Sequence, residues 1–283
     1  MTRSARLTRR TLQGAGVGLA ALMTLSACSS STSSSTSPTS AASDDNPSAK
    51  SAPSGSPKLS GNVTVFAAAS LQESFRALGK EFEKQHPGTR VDFNFGGSDT
   101  LAASITSGAP ADVFAAASPK TMALVTAEKD AVGTPATFVR NQLEIATLPG
   151  NPGNVASLKD LTKPSLKVVL CARTVPCGAA AQKALNAAGL KLTPVSYEQD
   201  VKGALTKVEL KEADAALVYR TDVHAAGDKV RGVEFPESAK AVNDYPIALL
   251  KNAPNAPAAQ AFIALVRSAE GEKVLTGAGF LKP

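Results

Sequence analysis

The chain has 283 residues, of which 43% are hydrophobic and 19% charged, which is ordinary for a globular protein with a large core. Its formal net charge is +6, but residues 1–27 contain four arginines and no acidic residue, so the remainder carries only +2. This near balance excludes nucleic-acid binding by bulk electrostatics.

Residues 1–27 have the pattern of a lipoprotein signal peptide. Basic residues precede an apolar stretch, from about residue 12 to 25, that is too short for a good membrane span. The tetrapeptide Leu25-Ser26-Ala27-Cys28 resembles the lipobox of bacterial lipoproteins, in which Cys28 would be lipidated and become the first mature residue. An ordinary signal with a chance cysteine is the alternative, and the adjacent pair Arg9-Arg10 leaves twin-arginine export open.

Residues 28–60 are predicted to be the lipidated cysteine and a disordered tether. Serine, threonine and proline make up 21 of the 32 residues from 29 to 60. Such a segment cannot bury enough apolar surface to offset its ordering entropy.

From Gly61 onward, strands and helices are predicted to alternate, which favours an α/β fold with mostly parallel sheets. The predicted elements of the first part are strands at 63–66, 89–95, 113–116 and 138–146, with helices beginning at residues 70, 100 and about 118. The predicted elements of the second part are strands at 167–170, 215–219, 230–234 and 245–250, with helices at 179–188, 201–211 and 256–268. We interpret residues 61–142 plus 246–283 as one lobe and residues 143–245 as the other.

Four predicted helices begin immediately after small or polar residues. Ser70 precedes Glu73 by three residues, which predicts a capping box, and Ser98 follows a Gly-Gly turn. Cys177-Gly178 and Asp200-Val201 open two further helices, and Tyr219 ends a predicted strand. Because helix N-termini favour anions and α/β ligands bind where strands pass into helices, we expect an anion in one cleft between the lobes.

The motifs at these positions resemble the molybdate-binding proteins of molybdenum ABC importers. They are VFAAASL (65–71), GSDTL (97–101), GAPADVF (108–114), VPCG (175–178), DVKGAL (200–205) and VY (218–219). The resemblance extends over essentially all of residues 61–283. It implies a class II periplasmic-binding-protein fold with two lobes, two crossing strands and a molybdate or tungstate dianion in the cleft.

The resemblance also implies which groups bind the anion. The expected ligand-binding residues are Ser70 and Ser98 through hydroxyl and backbone N–H, Cys177 and Val201 through backbone N–H, and Tyr219 through its phenol. The partners expected are an ABC permease and its ATPase, with the monomeric protein lipid-anchored on the extracytoplasmic face of the membrane. No cofactor is expected, and molybdenum would be present only as the bound oxyanion.

Three features lie near these residues. Cys171 and Cys177 are separated by five residues in a chain predicted to be exported, which favours a disulfide; two buried free thiols are the alternative. The family commonly has a small residue where Cys177 stands, which a backbone donor tolerates. Asp99 places a carboxylate beside the expected anion, which is unfavourable unless it faces solvent or caps the helix.

Three alternatives remain open from the sequence. The same fold could bind another tetrahedral oxyanion such as sulfate. A secreted serine hydrolase would need His86 or His224 as its base, and no Gly-x-Ser-x-Gly motif is present. A purely structural lipoprotein would bind no ligand. With two isolated histidines, a metal-cation site is not expected, and neither are catalytic residues.

Overall fold

The computed structural model describes residues 58–283, so the predicted signal peptide, the lipidation site Cys28 and nearly all of the predicted tether lie outside the described residues. Within 58–283 the strands, in chain order, are β1 (Gly61–Ala68), β2 (Thr89–Gly96), β3 (Val113–Ala115), β4 (Ala131–Asn141), β5 (Leu143–Thr147), β6 (Val168–Cys171), β7 (Ser196–Glu198), β8 (Ala215–Tyr219), β9 (Arg231–Val233) and β10 (Asn243–Leu250).

The α-helices of the described part are α1 (Gln72–Gln85), α2 (Ser98–Thr106), α3 (Pro119–Ala127), α4 (Pro176–Ala187), α5 (Val201–Glu209), α6 (Arg220–Ala226), α7 (Ala256–Val266) and α8 (Ala269–Gly277). Short 3-10 helices cover Ala69–Leu71, Leu158–Thr162, Gly227–Lys229 and Pro236–Ala241. None of the helices in residues 58–283 is both long and apolar enough to cross a membrane.

The strands form two five-stranded sheets with the same pattern of pairing. The first sheet has the order β2-β1-β3-β10-β4 and the second has the order β7-β6-β8-β5-β9. In each sheet the first two pairings are parallel and the last two are antiparallel. The sheets are therefore mixed. The strands of the parallel half lead into the strand-to-helix turns, and the antiparallel half contains the strands that connect the sheets.

The predicted strand at 138–146 is two strands in two different sheets. β4 ends at Asn141 and pairs with β10, whereas β5 begins at Leu143 and pairs with β8. The chain thus passes from the first sheet to the second at Gln142. It returns through β10, which begins at Asn243, two residues before the predicted start.

Each sheet has its own apolar core. Phe75, Phe82 and Phe262 pack edge to face around the first sheet, with α1 and α7 covering it. A second group, including Phe66 and Phe114, covers the opposite face under α2 and α3. The second sheet is buried mainly by small and branched residues of α4 and α5. Rigid packing on both sheets fixes the ends of β1, β3, β6 and β8, where the candidate site lies.

Candidate functional site

The structure brings all five predicted ligand-binding residues to one cavity, and all five are buried. The cavity has about 210 Å³ of empty space, counting its opening to solvent. Its lining residues are Ala68, Ala69, Ser70, Gly96, Gly97, Ser98, Ala117, Val175, Pro176, Cys177, Asp200, Val201 and Tyr219. The cavity is small and therefore suits an inorganic ion rather than a drug-sized molecule.

Four helix starts meet at this cavity. They are the 3-10 helix Ala69–Leu71 and α2 from the first sheet, and α4 and α5 from the second. The N–H groups in the first turn of a helix have no partner within that helix, and the helix dipole places partial positive charge there. The cavity is therefore rich in backbone donors suited to an anion.

Ser98 contributes a hydroxyl whose oxygen already accepts a hydrogen bond from the protein. It is the first residue of α2, after the N-cap Gly97. The backbone N–H of Ala117 donates to Ser98 Oγ at 3.0 Å. Because a backbone N–H can only donate, the proton of Ser98 must point elsewhere, and it is available to a ligand in the cavity.

Ser70 does not form the predicted capping box with Glu73. The N-cap position before the 3-10 helix belongs to Ala68, and no side chain caps either that helix or α1. Ser70 Oγ instead lies 2.9 Å from Tyr245 Oη, inside the protein. The capping-box prediction is wrong because this buried hydroxyl finds a tertiary partner.

The Tyr245 hydroxyl has a second partner, Asn141, on its acceptor side. Asn141 Nδ2 donates to Tyr245 Oη at 3.4 Å and to Thr221 Oγ1 at 2.9 Å. With an acceptor position of Tyr245 filled, its own proton can go to Ser70, which leaves the Ser70 proton for the cavity. Burial raises the pKa of Tyr245, so the phenol keeps this proton at neutral pH.

Tyr219 ends β8 and presents its phenol to the cavity from the second sheet. Asn243 Nδ2 donates to Tyr219 Oη at 2.7 Å. Burial raises the pKa of Tyr219 well above its ordinary value, so the hydroxyl remains protonated. Like Ser98, Tyr219 accepts from the protein and has a proton left to donate.

The lining of the cavity contains no lysine, arginine or histidine from the described residues. Its single carboxylate belongs to Asp200, which caps α5 by accepting from Gly203 N–H at 2.9 Å. His86 and His224 are not among the lining residues, so the two cavity serines have no imidazole base in the lining. Within 58–283 no group of three His, Cys, Asp or Glu side chains could hold a metal ion.

Lys202, the second residue of α5, forms ion pairs with two carboxylates. Lys202 Nζ is 3.2 Å from Asp222 Oδ1 and 3.0 Å from Glu73 Oε1. Glu73 belongs to α1 over the first sheet, whereas Lys202 and Asp222 belong to helices of the second. This lysine therefore joins the two halves of the protein beside the cavity.

Burial and the neighbouring charges shift the pKa of both Asp222 and Lys202. Burial raises the pKa of Asp222 to about 6, against the opposing effect of Lys202. Burial alone would lower the pKa of Lys202, but the Asp222 and Glu73 carboxylates outweigh it and the pKa is raised. Lys202 is thus cationic at neutral pH, and its charge is largely balanced before any anion binds.

Cys171 and Cys177 form a disulfide, as the spacing predicted, with their Cα atoms 5.8 Å apart. The bond ties the end of β6 to the first turn of α4, where Cys177 lines the cavity. Gly178 is required at the next position, because a Cβ there would overlap the backbone oxygen of Ala172. The loop is thus held closely against its own strand.

Asp99 does not line the cavity. It lies in the first turn of α2 without capping it, and among the described atoms its buried Oδ1 has no hydrogen-bond partner. From the sequence this carboxylate was expected to be unfavourable unless it faced solvent or capped the helix, and for Oδ1 neither condition holds. Its charge still benefits from the positive end of the α2 dipole.

Sequence reasoning missed the residues that hold the three hydroxyls in place. These are Ala117, Asn141, Asn243 and Tyr245, none of which belongs to a motif singled out above. A polar residue opening the apolar strand β10 was the one visible signal for Asn243. Its partner could not be read from the sequence.

Comparison with known proteins gives consistent results. Residues 63–281 match the family model described as bacterial extracellular solute-binding protein. The chain is 42% identical over 236 residues to the molybdate-binding protein ModA of Mycobacterium tuberculosis, covering 83% of this chain and 90% of that protein.

Solved structures share the fold at lower identity. The periplasmic molybdate-binding protein of Azotobacter vinelandii aligns with a TM-score of 0.69 and 21% identity, over 78% of this chain and 99% of that one. The sulfate-binding protein SubI of Mycobacterium tuberculosis aligns with a TM-score of 0.67 and 19% identity, over 77% of this chain and 86% of that one. At these identities the likeness is one of fold, and it does not separate the two ligands.

Proposed function

Because the chain belongs to the family of bacterial extracellular solute-binding proteins, we propose that it is the molybdate receptor of an ABC importer. The family is one of binding proteins rather than enzymes, and its fold is the two-lobed α/β fold expected from the sequence. The identity of 42% to a molybdate-binding protein supports molybdate over other solutes. Tungstate, an oxyanion of the same shape and charge, is proposed as a second ligand.

The observation that supports the proposal most directly is the hydrogen bonding of the three cavity hydroxyls. Ser98 and Tyr219 each accept a hydrogen bond from the protein and have a proton left over, and Ser70 keeps its proton for the cavity when Tyr245 donates to it. Together with the backbone N–H groups of both serines, Cys177 and Val201, they offer about seven neutral donors. Four oxygens that share two negative charges need such a set, because burying an anion without donors is very costly.

Neutral donors account for both affinity and selectivity. Hydrogen bonds to an ion contribute roughly 1.5–3 kcal/mol each, so about seven of them, after the cost of association, support a sub-micromolar complex. A lysine or arginine in the lining would favour any anion. Without one, selection between molybdate and the smaller sulfate depends on how closely the donors fit the ion.

We propose that the two sheets are the cores of two lobes that close on the ligand. The proposed boundaries are residues 61–142 plus 246–283 for one lobe and residues 143–245 for the other. The contact of Lys202 with Glu73 links the two proposed lobes beside the cavity, as expected of a closed form. Ligand would favour closure because donors from both sheets meet only then.

The proposed setting is the extracytoplasmic face of the membrane. The lipobox resemblance around Cys28 supports a lipid anchor, and the Ser/Thr/Pro-rich segment supports a flexible tether to a monomeric domain. From there the closed receptor would deliver molybdate to a permease and its ATPase. The protein itself would carry out no chemical step.

Calorimetric titration of the purified protein with molybdate, tungstate, sulfate and phosphate in turn tests the function. We expect one site with sub-micromolar affinity for molybdate and tungstate, and no comparable heat with sulfate or phosphate. Preference for sulfate would make the protein a sulfate receptor of the same fold. No binding of any of the four would contradict the proposal.

A further inference from the structure

Asn243 is the first residue of β10 and lies outside the cavity lining, yet its side chain contacts parts of both halves of the site. Its Nδ2 lies 2.7 Å from Tyr219 Oη, 2.9 Å from the carbonyl oxygen of Ala117 and 3.5 Å from that of Pro176. Tyr219 and Pro176 belong to elements of the second sheet, and Ala117 follows β3 of the first.

The chemistry of these neighbours fixes which way the amide faces. Carbonyl oxygens only accept, so the group that faces Ala117 and Pro176 must be the NH₂ and not the oxygen of the amide. The NH₂ therefore also donates to Tyr219. Tyr219 Oη must accept this bond, and its own proton is turned away from Asn243.

The same amide supports a second hydroxyl through one residue, Ala117. Ala117 accepts from Asn243 through its carbonyl and donates its N–H to Ser98 Oγ at 3.0 Å. The position of Ala117 thus determines where the Ser98 hydroxyl accepts, and hence where its proton can go. A continuous path of hydrogen bonds runs from Tyr219 through Asn243 and Ala117 to Ser98.

We propose that Asn243 is the positioning residue that turns the Tyr219 and Ser98 hydroxyls, one from each half of the protein, toward the bound oxyanion. This inference rests on the proposed function. Asn243 does not touch the ligand; it sets the direction of two donors that do. It also makes the two donors depend on each other, because the amide reaches both only when the halves are together.

Two substitutions of Asn243 separate the effect of its hydrogen-bond donation from the effect of its shape. Asn243→Ala removes the amide, which frees the Tyr219 hydroxyl to rotate and leaves Ala117, the partner of Ser98, held less firmly. Asn243→Asp keeps the shape, but its carboxylate would accept the Tyr219 proton and add a negative charge near the dianion. We expect molybdate affinity to fall at least tenfold in Asn243→Ala and further in Asn243→Asp at pH 7.5.

Asn186→Asp makes the same chemical change at an exposed position of α4 and serves as the matched control. We expect its affinity to stay within twofold of the unchanged protein. A fall in Asn186→Asp equal to that in Asn243→Asp would mean that added charge alone weakens binding, and would overturn the positioning role.

A double-mutant cycle distinguishes positioning from a merely structural contribution. If Asn243 acts through the Tyr219 hydroxyl, Asn243→Ala should cost less affinity in a Tyr219→Phe protein than in the unchanged one. The same should hold in a Ser98→Ala protein. Equal losses in all three backgrounds would overturn the proposal, as would Asn243→Ala binding like the unchanged protein.

Titration of the unchanged protein separates this proposal from the one on which it rests. If that protein binds molybdate and Asn243→Ala binds it equally, only the role of Asn243 is overturned. If the unchanged protein binds none of the four oxyanions, the receptor function fails and the role of Asn243 fails with it. Should Asn243→Ala not fold, the isosteric Asn243→Asp still gives the affinity comparison and the cycle.

Discussion

Gly97 lies directly against the backbone of Gln199, on the other side of the cavity. A Cβ built on Gly97 would be 2.6 Å from the Gln199 carbonyl oxygen and 3.1 Å from Cγ1 of Val175. Gly97 follows β2 of the first sheet, whereas Gln199 and Val175 precede α5 and α4 of the second. The two halves therefore meet at a position that has no room for a methyl group.

Gly97→Ala should weaken molybdate binding by about tenfold, because the methyl group opposes the approach of the two halves without removing any donor. The thermal stability of the ligand-free protein should change little. Calorimetric titration measures the affinity. Gly277→Ala is the matched control, since a Cβ on Gly277 meets nothing within 4 Å. Equal affinities in the two variants would show that close approach at Gly97 is not needed for binding.

Ser98→Ala should lower molybdate affinity by about 10- to 100-fold, which corresponds to one hydrogen bond to an ion. It also leaves the buried N–H of Ala117 without its acceptor, so a small loss of stability should accompany it. Ser104→Ala, on an exposed turn of the same helix, is the control. If both variants bind molybdate like the unchanged protein, the Ser98 hydroxyl is not a ligand.

Replacing both cysteines of the disulfide by alanine should lower the free energy of unfolding by about 2 kcal/mol on the chain-entropy account of a short loop. Molybdate affinity should fall several-fold, because the N–H of Cys177 is then held less firmly. Urea denaturation and titration measure the two effects. Reductant should reproduce both changes in the unchanged protein and should leave the alanine variant unaffected; an unchanged affinity in the variant would contradict the stiffening role.

The buried carboxyl of Asp222 predicts a specific dependence of stability on pH. Its folded pKa of about 6 exceeds its ordinary value of 3.8, so the folded state holds this proton more tightly than the unfolded state does. The contribution of Asp222 to the free energy of unfolding should therefore increase as pH falls from about 7 to 4.5, by at most about 1.4 kcal/mol per pH unit. Lys202 stays cationic throughout this range.

Asp222→Asn removes this titration while keeping an acceptor for the Tyr219 N–H. Urea denaturation of the ligand-free proteins between pH 7 and 4.5 should show the unchanged protein gaining stability relative to the variant as pH falls. Other carboxyl groups are common to both proteins and cancel in the difference. A difference that stays constant with pH would mean that Asp222 is ionised throughout.

The positions of the five expected ligand-binding residues could be predicted because they lie at junctions between strands and helices. Small residues at the end of β1 or after β2 mark such junctions locally, and helix N-termini have the same donors wherever they occur. That these junctions would meet in one cavity required the resemblance to a family as well. No local pattern in the sequence contains that information.

The supporting contacts could not be predicted, because they depend on partners far along the chain. The Ser70 hydroxyl binds Tyr245, 175 positions away, rather than its own helix, and Glu73 pairs with Lys202 rather than with a cap. The passage of the chain from one sheet to the other at Gln142 could not be predicted for the same reason. Residues 138–146 are suited to a strand throughout, and only the pairing of β4 with β10 and of β5 with β8 divides them.

Crystals grown with one equivalent of tungstate test the central claim most directly, since anomalous scattering from tungsten locates the anion without reference to the protein. The account predicts a single strong peak in the cavity, within hydrogen-bond distance of Ser70, Ser98 and Tyr219 through its four oxygens. Peaks only on the surface, or an empty cavity in protein that binds tungstate in solution, would contradict it.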